Sequence, residues 1–356
     1  YSATGDCWSY LPHDHARSRA YRWGEDGLLG ICDRQCRLCL AIALWNGKDP
    51  ILKERLFGLT NHEGNHGEDV KECYYYLDGT PTHSWMRALY KYPQRAFPYQ
   101  ELVEENRRRT ALDREYEIVD TGIFADGRYF DVEATYAKGA PDDILLRITI
   151  TNRGPEEAPV DVLPTLWFRN TWSWGGTTED YSQRPSIAKI DDRTLEVVHA
   201  TLGRYHMVLG EGPDGRLPAL LFTENETNIQ RLFNAPNTFP YVKDAFHEYV
   251  VGGRANAVNP NPQGTKVAAH YHAVIPPGES VTLDMRLSAE GQAPVHPLGA
   301  DFGRTLALRR EEADLFYSGR LGDNLTDEQH AVARQAYAGL LWSKQFYYYS
   351  VAEWLD

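Results

Sequence analysis

Positive charge is the first thing this chain is short of: 37 Lys and Arg stand against 50 Asp and Glu, a formal net charge of -13. That deficit argues against a nucleic-acid backbone or an anionic membrane surface as the main partner. Cysteine is scarce as well. The five present, Cys7, Cys32, Cys36, Cys39 and Cys73, are an odd number and do not form the framework of a small secreted disulfide protein. Long apolar runs of membrane-spanning length are missing, and so is a signal-peptide pattern at the start. The expected compartment is therefore the cytoplasm. Tyr1 rather than Met opens the sequence, which leaves open a trimmed amino end and an export signal removed with it. Strand-helix-strand repeats are absent, so a parallel α/β fold is not expected, and no internal repeat or low-complexity tract occurs. What the chain does have is aromatic surface, 9 Trp and 22 Tyr in 356 residues. Such side chains suit sugar stacking or a large interface, but a β-rich core uses them too. Two sequons, at Asn225 and Asn324, carry no weight in a cytoplasmic protein.

From about residue 25 to 290 the dominant period is two. Leu146, Ile148 and Ile150 alternate with polar residues until Asn152-Arg153-Gly154-Pro155 breaks the strand, and Val160 and Val162 flank Asp161 before Pro164. Val267, Ala269, Tyr271, Ala273 and Ile275 share one face up to Pro276-Pro277-Gly278; Val281, Leu283, Met285 and Leu287 share the next. Strands with one polar face and turns between them predict a mainly β protein, a large antiparallel β-sandwich. Near residue 299 the period becomes 3.6. Phe302, Leu306, Ala313 and Tyr317 fall on one side of a predicted linker helix. Thr326 with Gln329 then forms a capping-box signal, and an aromatic helix is expected to run to Asp356. Val332, Ala336 and Leu340 make one stripe on it and Ala333, Tyr337 and Leu341 another, so it needs burial on most sides. The expected organisation is a β-sandwich over 1–295, a helical linker over 296–325, and over 326–356 the first helix of a domain that the chain does not contain.

Two metal-like motifs invite attention. His62-Glu63-Gly64-Asn65-His66 matches H-E-x-x-H, but its Gly and Asn residues favour a loop over the helix that zinc-protease chemistry needs. Cys32, Cys36 and Cys39 have the C-x3-C-x2-C spacing of an iron–sulfur ligand set. With no parallel barrel to hold a cluster, they read as incidental cysteines of a β-hairpin. No metal or cofactor is expected. Two irregular, charge-dense segments read instead as a cleft wall or a domain interface. The first carries His13, His15, Arg17, Arg19, Arg22, Trp23, Glu25 and Asp26; the second carries His66, Glu68, Asp69, Asp78, His83 and Trp85. Adjacent acids such as Glu25/Asp26 or Glu68/Asp69 point to opposite faces of a strand and form no ready catalytic pair.

These segments resemble the amino-terminal part of large bacterial proteins of glycoside hydrolase family 63, of the mannosyl-oligosaccharide-glucosidase-like or mannosylglycerate-hydrolase-like kind. The likeness is carried by Pro12-His13-Asp14-His15-Ala16-Arg17-Ser18-Arg19 through Gly27, by Leu44-Trp45-Asn46-Gly47, and by Gly64-Asn65-His66-Gly67-Glu68-Asp69-Val70-Lys71-Glu72. It continues in Leu163-Pro164-Thr165-Leu166-Trp167-Phe168-Arg169-Asn170-Thr171-Trp172-Ser173-Trp174 and Leu341-Trp342-Ser343-Lys344-Gln345-Phe346. The resemblance implies a β-sandwich joined by helices to an (α/α)6 barrel, and inverting hydrolysis of α-linked glucosides or related sugars. Inversion needs an acid and a base about 6.5–9.5 Å apart. By the resemblance both belong to the barrel, beyond Asp356, so no catalytic residue is assigned here. The expected role is to brace the barrel and line its sugar cleft, with the barrel (same or separate chain) and an oligosaccharide as partners. The clustered residues would then face the barrel. The alternative is a stand-alone carbohydrate-binding or assembly module, with Trp85, Trp172 and Trp174 as stacking residues.

Overall fold

The computed structural model describes residues 12–21, 27–59, 69–174, 183–322, 324–344 and 351–355. Two antiparallel sheets face each other. Numbering strands along the chain, the smaller sheet orders β1 (Leu28–Cys32), β2 (Leu38–Trp45), β9 (Ala158–Phe168), β15 (Lys266–Ile275) and β13 (Ala219–Thr223). The larger runs β14 (Gln263–Gly264), β10 (Ser186–Lys189), β11 (Thr194–His199), β12 (Gly203–Leu209), β16 (Ser280–Ala289), β8 (Asp143–Asn152), β7 (Tyr129–Ala140), β6 (Trp85–Pro93) and β5 (Tyr74–Gly79). A short pair, β3 (Gly58–Leu59) and β4 (Asp69–Val70), lies apart. The chain is thus mainly β, as its period-two pattern predicts.

Alternation decides what fills the space between the sheets. Leu40, Ile42, Val162, Leu166, Val267, Tyr271 and Ile275 meet Tyr90, Val132, Ile148, Ile150, Leu283 and Met285 in one buried cluster. Each such aliphatic side chain contributes roughly 1.5–3 kcal/mol by leaving water. Pro164 lies inside its strand. β9 passes through it, and the pairing with β15 lapses there, between Thr165–Ala268 and Val162–Tyr271, where Pro has no N–H to donate. On the other side Pro164 still sits opposite Ile42 of β2.

The described α-helices are, in chain order, α1 (His13–Ala16), α2 (Tyr99–Arg108), α3 (Ile229–Phe233), α4 (Ala245–Val250), α5 (Ala300–Leu321), α6 (Asp327–Trp342) and α7 (Val351–Leu355). α5 buries Phe302, Leu306, Ala313 and Tyr317, the side its periodicity predicts. Phe302, Leu306 and Ala313 cluster with Trp85, Ala137 and Leu145 on the outside of the larger sheet. α6 starts at Thr326 with both capping-box hydrogen bonds formed. It does not run on to Asp356: the helix stops at Trp342 and Ser343 is its C-cap. Ser343 Oγ donates to the Leu340 carbonyl at 3.4 Å, the local side-chain bond by which serine competes with helix continuation. Among the described residues no helix is long and apolar enough to cross a membrane.

Candidate functional site

The outer face of the smaller sheet holds a hollow with charged walls. Strand alternation turns Ala41, Ala43, Thr165 and Trp167 outward, and three of those four are small. Over them pass His13 and Arg17 of the α1 segment, then Ile51, Leu52, Glu54 and Arg55, and Lys243, which together with Lys266 line the hollow. The α1 segment is strapped down by long-range bonds. Ser18 Oγ donates to Asp244 at 2.6 Å, the Ala20 amide to Thr227 at 3.1 Å, and the Asn228 amide to the Ser18 carbonyl at 2.8 Å. Arg231 donates to the Asp14 carbonyl at 2.9 Å and to its carboxylate at 2.5 Å.

The charges in the hollow are largely fixed. Lys266 donates to Glu54 at 2.8 Å and to the Lys243 carbonyl at 3.1 Å, and lies over the Phe246 ring. Lys243 donates to the Arg19 carbonyl at 2.9 Å and sits over Tyr21. Burial would raise the Glu54 carboxyl, but Lys266, Lys243 and Arg55 outweigh it and hold the pKa below the usual glutamate value. Arg55 donates to the Tyr21 hydroxyl.

Beside this hollow lies a buried ion pair. Lys53 Nζ meets Glu72 at 2.7 Å with both side chains almost wholly inaccessible, and stands 3.7 Å above the Phe97 ring. Glu72 also accepts the Phe57 amide at 2.9 Å and the Tyr90 hydroxyl at 2.8 Å. His13 links pair and hollow: it stacks on Tyr99 at 5.5 Å and meets Phe57 edge-on. Burial, then the nearby Lys53, Arg55 and Arg17 charges, hold His13 well below its ordinary pKa of 6.5. Burial also lowers His247, whose Nδ1 accepts the Leu52 amide at 3.2 Å. The sign follows. Below pH 6.5 the unfolded chain takes up protons that the folded histidines refuse, so stability is full above that pH and falls as pH drops through it. His13→Gln is expected to remove on the order of 1 kcal/mol of the loss between pH 7.5 and 5.5, read as urea midpoints at the two values. Identical midpoint differences in variant and parent would show that His13 titrates freely.

The second sequence cluster splits away from the first. Asp78 accepts the Trp85 indole N–H at 2.9 Å and Arg334 Nε at 3.1 Å, which ties the β5–β6 hairpin to α6. His83, at the hairpin turn with φ of 54°, bonds the Leu341 backbone. Trp85 is 4% exposed beneath α5, so it offers no face for sugar stacking. Trp172 is half-buried and donates to Glu226 at 2.7 Å. His15 is exposed on α1 and Arg19 is half-buried. Arg22, Trp23, Glu25, Asp26, His66 and Glu68, with the rest of the H-E-x-x-H stretch, lie outside the described residues.

Asp69 joins Glu115 and Glu117 in a trio of carboxylates with metal-like spacing. Lys71 fills it, however, donating to the three at 2.6, 2.7 and 3.1 Å. Burial alone would lower the Lys71 pKa, but those three bonds raise it, so an ammonium takes the place a cation would need. The hairpin cysteines do come together: Cys32 pairs with Cys39 in register, and the Cys36 and Cys39 thiols are 3.6 Å apart. The hydrogen bond with Cys36, then burial, pushes the Cys32 thiol up to about 12, which leaves it little thiolate character.

Neither composition nor spacing singled out Glu54, Arg55, Trp167, Lys243 or Lys266 of the hollow as site residues; Lys266, for one, meets Glu54 across 212 residues.

No family model matches the chain. An alignment covering all of it is 42% identical over 394 positions to the uncharacterized protein YMR196W of Saccharomyces cerevisiae. Only 36% of that relative is covered, so the chain spans about a third of the length of the curated relative it matches. Among solved structures, the polysaccharide lyase BACCELL_00875 superposes with a TM-score of 0.30 and 12% identity, over 75% of this chain and 27% of that one. Similarity at that level carries no argument.

Proposed function

We propose that this chain is the non-catalytic β-sandwich part of a larger inverting α-glycosidase of the family 63 kind. It braces a helical barrel through α5 and α6 and lends a wall to the sugar cleft. The resemblance in the Pro12–Gly27 and Leu163–Trp174 runs supports this, and so does the greater length of the yeast relative. The observation that carries it is the back of α6. While Ala338 and Trp342 pack onto β5, Val332 and Leu340 on the other side are 67% and 74% exposed. Rows of apolar side chains on an anchored helix mark a surface that another element covers. The sugar substrate and both catalytic acids belong, in this proposal, to that covering domain.

Sedimentation of the 356-residue chain tests it. Concentration-dependent association, abolished by V332E/L340E with circular dichroism unchanged, is the expected result. A monodisperse parent that binds oligosaccharide in the absence of any partner would overturn the proposal and favour the stand-alone module.

A further inference from the structure

We propose that the β1–β2 hairpin carries a zinc site built from the thiolates of Cys32, Cys36 and Cys39. Their C-x3-C-x2-C spacing alone reads as incidental, but the fold brings the three side chains together. Cys32 and Cys39 stand directly opposite each other across the hairpin, so their side chains leave the same face of the sheet. Cys36 returns to them from the turn. Its φ of 54° lies in the left-handed region that cysteine rarely adopts, and its amide donates to the Asp33 carbonyl at 2.9 Å. The sulfurs close a triangle: Cys36 Sγ lies 3.6 Å from Cys39 Sγ, and the Cys32 thiol makes hydrogen bonds with both.

That separation decides between two chemistries. A disulfide needs about 2.05 Å between its sulfurs. Two sulfurs on one tetrahedral zinc, each about 2.3 Å from the ion, stand about 3.8 Å apart. Cys36 and Cys39 are therefore spaced as neighbouring ligands of one ion. Their surroundings suit it. Both are buried, and they cluster with Ala41 and with Trp167, which lies opposite Cys39 on β9. Cys32 is exposed and gives the ion a way in. The turn is held in shape from both sides. Asp33 accepts the amides of Gln35, Arg37 and Leu38 at 3.0, 2.5 and 2.8 Å, and buried Arg169 donates to the Cys36 and Gln35 carbonyls at 3.0 and 3.2 Å.

Soft thiolate donors select zinc over the hard cations magnesium and calcium. Binding exchanges the sulfur–sulfur hydrogen bonds for three Zn–S bonds, and the ion displaces the three thiol protons to solvent. No electron changes hands, and a fourth donor completes the tetrahedron. Cys32, with little thiolate character of its own, is deprotonated by the metal, which does this to any thiol that coordinates it. The ion would staple β1, the edge strand of the smaller sheet, to β2. This inference needs no barrel and stands whether or not the proposed glycosidase role does.

Metal analysis of the reduced 356-residue chain and its titration with Co2+ test the site. About one zinc per chain should survive desalting. Co2+ should raise a sulfur-to-cobalt charge-transfer band in the near ultraviolet, which added Zn2+ bleaches. Cys36→Ser and Cys39→Ser should each lose the band and the bound zinc. Cys32→Ser, at an exposed position, should lose them too and covers the case in which the buried variants fail to fold in thermal melts. Zinc should raise the melting temperature of the parent and leave that of Cys32→Ser unchanged. Cys73→Ser, outside the hairpin, should behave as the parent. A parent stripped of zinc by desalting, a titration without the band, parent-like binding in folded Cys32→Ser, or loss of the band in Cys73→Ser would each overturn the assignment.

Discussion

Lys53→Met is expected to cost about 3–5 kcal/mol of folding stability, because it strands a carboxylate that the fold has removed from water. Lys53 and Glu72 have side chains 0% and 1% exposed, and Lys53 supplies the one ammonium in contact with Glu72 among the described residues. Burial already pushes the Glu72 carboxyl up, while Lys53, the Phe57 amide and the Tyr90 hydroxyl pull it partly back. Without Lys53 only the neutral donors remain, and the folded-state pKa climbs further. A raised carboxyl pKa means stability lost as pH rises through it, so the penalty should be larger at pH 7.5 than at pH 5.5. Urea midpoints at the two values measure this. Lys53→Met/Glu72→Gln should recover part of the loss, since it removes the unpaired charge along with its partner. A penalty independent of pH, or a double variant as unstable as the sum of its singles, would show that the lysine serves only as packing over Phe97.

That pair also shows where sequence reading stopped. The period-two faces of Leu146–Ile150 and Val267–Ile275 were legible because one side of each strand meets the other sheet. The α5 face and the Thr326 capping box were legible because both are local patterns. What escaped depends on separation along the chain. Lys53 and Glu72 are 19 residues apart, and Lys266 meets Glu54 across 212. Each partner alone looks like a surface charge. The outward residues of β9 and β15 likewise read as a solvated face, since nothing in their own strands reveals that α1 and Lys243 cross over them. Pro164 is tolerated inside β9 because its missing N–H is met by a local lapse in pairing with β15. The two charge-dense segments were singled out by composition, yet composition could not divide them. His13 and Arg17 line the hollow on the smaller sheet, whereas Asp78, His83 and Trp85 hold the helices on the larger.

Asp78→Ala should loosen α6 without unfolding the sandwich. The Asp78 side chain, 6% exposed, gathers the Trp85 indole, Arg334 Nε and Arg334 Nη2, and its own backbone oxygen lies 3.5 Å from the Trp342 indole N–H. Next to it the Tyr317 hydroxyl donates to the Gly79 carbonyl, and Gly79 has no side chain to hold the Ala338 backbone away. Removing the carboxylate leaves the buried Trp85 indole N–H without its acceptor and the Arg334 guanidinium held by Asp314 alone, at 2.5 Å. Such losses cost about 2–4 kcal/mol, and they fall on helix docking because the strand ladders do not depend on Asp78. Amides of residues 330–342 should therefore exchange with deuterium roughly 30- to 1000-fold faster, by the 1.4 kcal/mol per decade relation. Amides of the β8–β16 ladder should keep their protection. Asp78→Asn, which retains one acceptor for Trp85 but no charge for Arg334, should fall between. Uniform loss of protection across sheet and helix would mean that α6 belongs to the sandwich's own cooperative unit. Selective loss would mean that Asp78 sets the angle at which Val332 and Leu340 are offered, so the fit of any covering domain would depend on a carboxylate that never touches it.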